Sequence, residues 1–151
     1  MIRRTAVVWA LCFLLACHST PKEHRADATR KLTAMVDSVT TAVADKFPVV
    51  PAAPPDPPQS CVGTFNNDKG TVKIGYSRLI TIPHDTDGPA FADRSSVYLK
   101  SHGYQVDKIE RAADPQLAYF VAHREGYQLL VDVNPREGRV SITAGTPCVK
   151  P

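Results

Sequence analysis

The side chains able to do chemistry are few and scattered. Five histidines stand at His18, His24, His84, His102 and His123. An imidazole metal site asks for donors at i, i+4 on a helix, or for a cysteine nearby. No two of the five sit at i, i+4 on an expected helix, so no metal ligand is assigned. Ser19-Thr20-Pro21-Lys22 has the Ser-x-x-Lys spacing in which a lysine activates a serine. No SDN or KTG accompanies it, and a nucleophile there would lack an oxyanion hole. The signatures GxSxG, HExxH, GxGxxG and the phosphate loop are absent. Asp85-Thr86-Asp87-Gly88, with Asp93 beyond, looks like part of a calcium loop but lacks oxygens and a late Glu. It is read as a turn and an N-cap for a following helix. No catalytic residue and no cofactor is assigned.

Two residues remain as candidate binding groups. Arg78 falls on the same alternation as Val72, Ile74, Tyr76, Ile80 and Ile82. A buried unpaired charge is very costly, so Arg78 must reach a carboxylate, a ligand or solvent. A bulge at Ser77, or a strand that outruns its sheet, would release it to solvent. His123 shares the parity of Leu117, Tyr119 and Val121. It either lines a pocket or marks a strand end where the core face meets water. Tyr76, Tyr104, Tyr119 and Tyr127 are read as core residues, with a binding face as the alternative.

The N-terminus carries an address. Met1-Ile2-Arg3-Arg4 is basic, and Thr5 to Leu15 is almost wholly apolar. That is the layout of a secretory signal peptide, and the run is too short to span a bilayer as a helix. Leu14-Leu15-Ala16-Cys17 resembles the lipobox of bacterial lipoproteins. The resemblance implies that Cys17 receives a diacylglyceryl group and that cleavage follows Ala16. Two acyl chains suffice for stable anchoring, since each buried CH₂ contributes about 0.8 kcal/mol. The expected location is the outer face of the cytoplasmic membrane.

Processing changes the charge and the cysteine count. The chain has 18 basic and 15 acidic residues. Loss of residues 1–16 removes Arg3 and Arg4 and leaves side chains that sum to +1. No nucleic-acid partner is expected from such a balance. Of Cys12, Cys17, Cys61 and Cys148, the first leaves with the signal and the second becomes the anchor. Cys61 and Cys148 are then expected to form a structural disulfide.

The elements that must position these residues follow from pattern. Thr20-Pro21-Lys22-Glu23 reads as a helix start with a capping box. Ala28, Leu32, Val36, Val39, Val43 and Phe47 then keep helical spacing to about Lys46, with Arg30, Asp37, Thr41 and Asp45 opposite. The stripe is expected to pack on the protein's own domain. Residues 48–58 hold six prolines in eleven residues, which excludes regular helix and central strand. A polyproline-II spacer of about 34 Å is expected there. Residues 59–151 read as the folded domain. Its elements are a strand over 72–82, a helix opened by Asp87-Gly88-Pro89 and closed near Gly103, and a strand over 104–111. Three more follow, marked by Leu117-Tyr119-Val121, by Tyr127-Leu129-Val131-Val133, and by Val140-Ile142.

The expected fold is α+β: an amphipathic helix over 17–47, the proline-rich linker 48–58, and a small antiparallel sheet of β-α-β-β-β-β order. A helix packs on one face and one disulfide closes the domain. The outline resembles small lipoproteins common in actinobacteria, through the lipobox, the polar N-terminal segment and the late Thr146-Pro147-Cys148. That resemblance implies location and shape and no activity. The expected function is a non-enzymatic, membrane-anchored lipoprotein that binds an envelope protein or cell-wall component. The alternative is a carrier of a small apolar ligand, which needs a cavity between helix and sheet.

Overall fold

A computed structural model describes residues 23–62, 68–107, 110–111 and 114–151. The signal segment, Cys12, Cys17, His18 and the Thr20-Pro21-Lys22 start lie outside the described residues. The architecture is α+β. Helix α1 (Arg25–Ala44) comes first, followed by strands β1 (Gln59–Val62), β2 (Asp68–Lys73) and β3 (Gly75–Thr81). Helix α2 (Gly88–Ser101) leads to β4 (Gln105–Val106), β5 (Glu110–Arg111), β6 (Ala118–Arg124), β7 (Tyr127–Asn134) and β8 (Arg139–Gly145).

The main sheet is antiparallel, ordered β3-β8-β7-β6-β4, with β5 also paired to β6. Hairpins are possible here because the turns suit them. Glu125 and Gly126 both have positive φ, 53° and 82°, the backbone a two-residue hairpin turn needs between β6 and β7. Pro135–Glu137 form a short 3₁₀ turn, capped by Asn134 Oδ1 and closed by Gly138 at φ 65°. Strand β7 sits near the middle and buries Tyr127, Leu129, Val131 and Val133 on one face. Val140, Ile142 and Ala144 of β8 share that face, as do Tyr76 and Ile80 of β3.

Both helices cover this face. From α1 come Ala28, Leu32, Val36, Val39 and Ala44, and from α2 Phe91, Ala92 and Leu99. The helix and the sheet therefore form one core, and the stripe on α1 packs on the chain's own sheet. Asp87 caps α2 by accepting from Ala90 N at 2.9 Å, and Gly103, at φ 81°, follows its end. Among the described residues, no helix is long and apolar enough to cross a membrane.

Several elements differ from the sequence reading. Helix α1 starts at Arg25, and its N-cap His24 makes no side-chain cap bond. Glu23 turns instead to Lys31, at 2.7 Å, and to the Tyr127 hydroxyl, at 3.0 Å. The single strand over 72–82 is two strands in two sheets. The chain breaks at Ile74, whose N–H donates to Thr146 Oγ1 and whose carbonyl accepts from Thr146 N. Strand β2 then pairs with β1, and Val72 bridges to Val149. The expected strand over 104–111 is two short pieces, β4 and β5.

The 48–58 stretch is not a free spacer. Val50 N donates to Leu79 O, Asp56 N donates to Gly75 O, and Thr81 N donates to Pro48 O. The segment lies along the otherwise open edge of β3, Val50 and Asp56 supplying N–H groups and Pro48 a carbonyl. Prolines on such a segment discourage further pairing.

Strand β6 shows the opposite parity to the one expected. Leu117, Tyr119 and Val121 were assigned inward, but Ala118, Phe120 and Ala122 are the buried set. Both alternations are apolar, so hydropathy along β6 does not decide. The pairing with β7 does: Phe120 lies opposite Val131 and Ala122 opposite Leu129. Residues directly opposite share a face.

The expected disulfide is present. Cys61 and Cys148 are bonded with Cα atoms 6.2 Å apart, tying β1 to the C-terminal tail. Replacing both by serine is expected to cost about 4.5 kcal/mol in the chain-entropy account of so long a loop, read by urea unfolding. Parity in β6 has its own test. Phe120→Ala should cost about 3–5 kcal/mol, while Tyr119→Ala should stay within about 0.5 kcal/mol. The reverse order would place Tyr119 in the core.

Candidate functional site

Both helices lie on one face, and among the described residues no helix covers the sheet's other face. Two cross-strand rows run across it. The first is Tyr119, Asp132, Ser141 and Leu79, and the second is Val121, Leu130, Thr143 and Ser77. Opposite residues in such rows stand about 5 Å apart at Cβ. Tyr119 is 42% exposed and Leu130 38% exposed, the two large apolar side chains open to water on this face. Around them the residues are small and hydroxylated. Ser77 Oγ and Thr143 Oγ1 are 3.0 Å apart, and Ser141 Oγ is 3.3 Å from Thr143 Oγ1.

Asp132 stands between Tyr119 and Ser141. Among the described residues, no group forms a hydrogen bond or ion pair with its carboxylate. Burial pushes its pKa up, Arg139 pulls it down less, and Glu137 adds to the rise. This residue was not singled out from the sequence. The signal was available: it is the polar position between Val131 and Val133 in the clearest alternating strand.

Arg78 reaches a carboxylate, one of the three outcomes open to it. Its Nη1 lies 2.6 Å from Asp37 Oδ1, and its Nη2 donates to Val50 O at 3.3 Å. The Tyr76 hydroxyl donates to the same Asp37 oxygen at 3.1 Å. The Arg78 side chain is 16% exposed and Nε has no partner. The neighbouring Tyr76 hydroxyl, and then the Asp37 charge, raise the Arg78 pKa against the opposing effect of burial. The cluster joins α1 to β3 and leaves no open donor aimed at a ligand-sized space. Asp37 was placed on the outward side of α1, but it lies on the flank that meets β3. Thr40, buried one turn later, shows that the buried arc is wider on that side.

His123 lies on the outer face, near the edge of the sheet. Its Nε2 is 3.1 Å from Asp107 Oδ2, and its side chain is 43% exposed. It lines no cavity. Of the tyrosines, Tyr76, Tyr104 and Tyr127 are core residues, and Tyr119 is on the open face. Tyr127 is pushed up in pKa chiefly by burial, with the Glu23 carboxylate holding its proton. Glu23 is itself held down, first by its bond to Lys31.

A groove of about 230 Å³ lies between the end of α1 and α2, beside Val43, Phe91, Arg94 and Tyr98. It is smaller than the roughly 300–1,000 Å³ of ordinary ligand sites. Ser95, on its wall, already donates to Phe91 O. Among the described residues, no three His, Cys, Asp or Glu side chains gather to hold a metal ion.

Asp132 gives this face a pH dependence with a definite sign. A carboxyl whose folded pKa is raised binds its proton more readily folded than unfolded. It therefore costs stability as pH rises from the ordinary carboxylate value through the raised one. Asp132→Asn should raise the Tm at pH 7, and the gain should vanish near pH 3, measured by thermal unfolding across that range. A variant less stable than the parent at pH 7 would mean that Asp132 has a favourable partner.

No protein-family model, no curated protein and no solved structure matches this chain.

Proposed function

We propose that the chain is a lipoprotein held by a lipid on Cys17 at the outer face of the cytoplasmic membrane. Its α+β unit is a non-enzymatic binding module for an envelope protein or cell-wall component. The observation that carries the binding role is the uncovered sheet face, with Tyr119 and Leu130 open among small polar residues. Solvated sheet faces are common, but half-exposed aromatic rings on them are found more often at contact surfaces.

The disulfide supports the address, since such bonds persist outside the cytosol. The position of α1 supports the anchoring. Cys17 precedes Glu23 by six residues, which reach at most about 20 Å. Glu23 and His24 are fixed to the C-terminal tail: Arg25 N donates to Lys150 O, and Lys150 N donates to Glu23 O. A lipid on Cys17 would thus hold this end of the domain near the bilayer. The carrier alternative would place its ligand between helices and sheet. That space is filled by Leu32, Phe91 and Phe120, each at most 1% exposed.

The test is the mass and location of the protein taken from its own membrane. The mature chain should lack residues 1–16 and carry at least two acyl chains on Cys17. Cys17→Ser should move it from the membrane to the soluble fraction. A mature, unmodified Cys17 in the soluble fraction would overturn the lipoprotein reading.

A further inference from the structure

We infer that the outer sheet face around Tyr119 and Asp132 is the docking site for a glycan strand, a chain of β-linked pyranoses in the envelope. This rests on the display reading above and names its ligand.

Size argues first. The open face spans four strands about 4.8 Å apart, each seven or eight residues long. That is on the order of 450 Å², below the roughly 800 Å² that each side of a stable protein interface buries. A second copy of the chain, or a folded partner, would find too little surface. A narrow, extended polymer would not.

Composition argues second. A pyranose with equatorial substituents presents a flat C–H surface and a rim of hydroxyls. The Tyr119 ring, 42% exposed on the open face, suits the C–H surface. Asp132 is its direct cross-strand neighbour and has no protein partner among the described residues. An ionised carboxylate only accepts, so it suits a pair of sugar hydroxyls, and such charge-assisted bonds are the strong kind. Ser141 continues that row, and Thr143 and Ser77 stand in the row beside it, with groups that both donate and accept.

Other occupants fit less well. One carboxylate is too few oxygens for calcium. An extended peptide would seek a strand edge, and the β3 edge is already bonded to residues 48–56. The mature charge balance offers nothing for a polyanion.

The experiment titrates the full mature chain, extracted in a zwitterionic detergent without a sugar headgroup. The probes are chitotetraose, cellotetraose and mannotetraose, followed by calorimetry and amide NMR shifts. At least one should bind saturably, with shifts confined to β3, β6, β7 and β8. Tyr119→Ala should weaken binding tenfold or more. Asp132→Asn should weaken it about tenfold, while leaving the fold at least as stable as the parent. Val97→Ser, at a 65% exposed position on α2, should change nothing. Far-UV circular dichroism confirms that each variant is folded. Failure of all three probes to bind at about 10 mM would overturn the glycan assignment, as would binding indifferent to both face variants. If cross-linking in cells ties Tyr119 to a protein instead, the glycan assignment falls and the display reading stands. An unmodified Cys17 removes the display reading itself.

Discussion

Everything in this structure depends on two helices closing the same face of one sheet. A sheet has two faces, and a chain of this length supplies α1 and α2 and no further long helix among its described residues. Leu129, Val131 and Val133 of β7, with Val140 and Ile142 of β8, are fully buried beneath them. Each such side chain contributes roughly 1.5–3 kcal/mol on leaving water. Half of that cover comes from α1, which lies before the proline-rich stretch. The N-terminal helix is therefore part of the domain's core. The Pro48–Asp56 segment follows the β3 edge because it must return the chain from the end of α1 to β1. The disulfide and the Lys150–Glu23 bonding then hold the two ends of the same layer.

Within that closure one polar contact fixes how α1 sits on β3. Arg78 points inward between Tyr76 and Ile80 and would be intolerable unpaired. Asp37 meets it, and the Tyr76 hydroxyl donates to the same carboxylate. Apolar side chains of similar size would serve burial as well or better. What they would not supply is register: slide α1 by one turn and Asp37 leaves Arg78 stranded. Glu23 does the same just before the first turn, between Lys31 and Tyr127. Two polar anchors thus set the helix, one ahead of its start and one past its middle.

Local signals were legible in the sequence, and signals that need a partner were not. Asp87, Pro89 and Gly103 bound α2 where the sequence places it, because caps and a positive-φ glycine act within a few residues. The alternation in β7 is legible because one parity is wholly apolar, while the other sets a single Leu130 among Gln128, Asp132 and Asn134. In β6 both parities are apolar, and the choice belongs to the β7 register, which no single strand reveals. Likewise Ile74 looks like one more residue of a long strand. The break there is imposed by Thr146, more than seventy positions away. Arg78 was legible as a problem, but its solution, Asp37, sat on a helix flank that the apolar stripe alone did not assign. Of the open face, the sequence reading names Tyr119 but puts it in the core, and it does not name Asp132.

The half-buried carboxylates of this domain make Asp132 stand out. Asp37 has Arg78, Glu23 has Lys31, and Asp114 has Arg136. Each is spent on structure. Asp132 is half-buried, raised in pKa, and spent on nothing among the described residues. A serine or threonine there would keep the strand's alternation and suit a pleated surface better. Folding alone gives no reason to hold an unpaired charge in the middle of a sheet. Where a local choice works against stability without a structural return, the return is sought in binding. Tyr119 beside it makes the same point from the apolar side, since a ring of that size gains little by standing 42% in water. The two residues oppose each other in register, so whatever meets one must meet the other. A ligand that answers both at once must carry a flat apolar surface edged by hydrogen-bond donors.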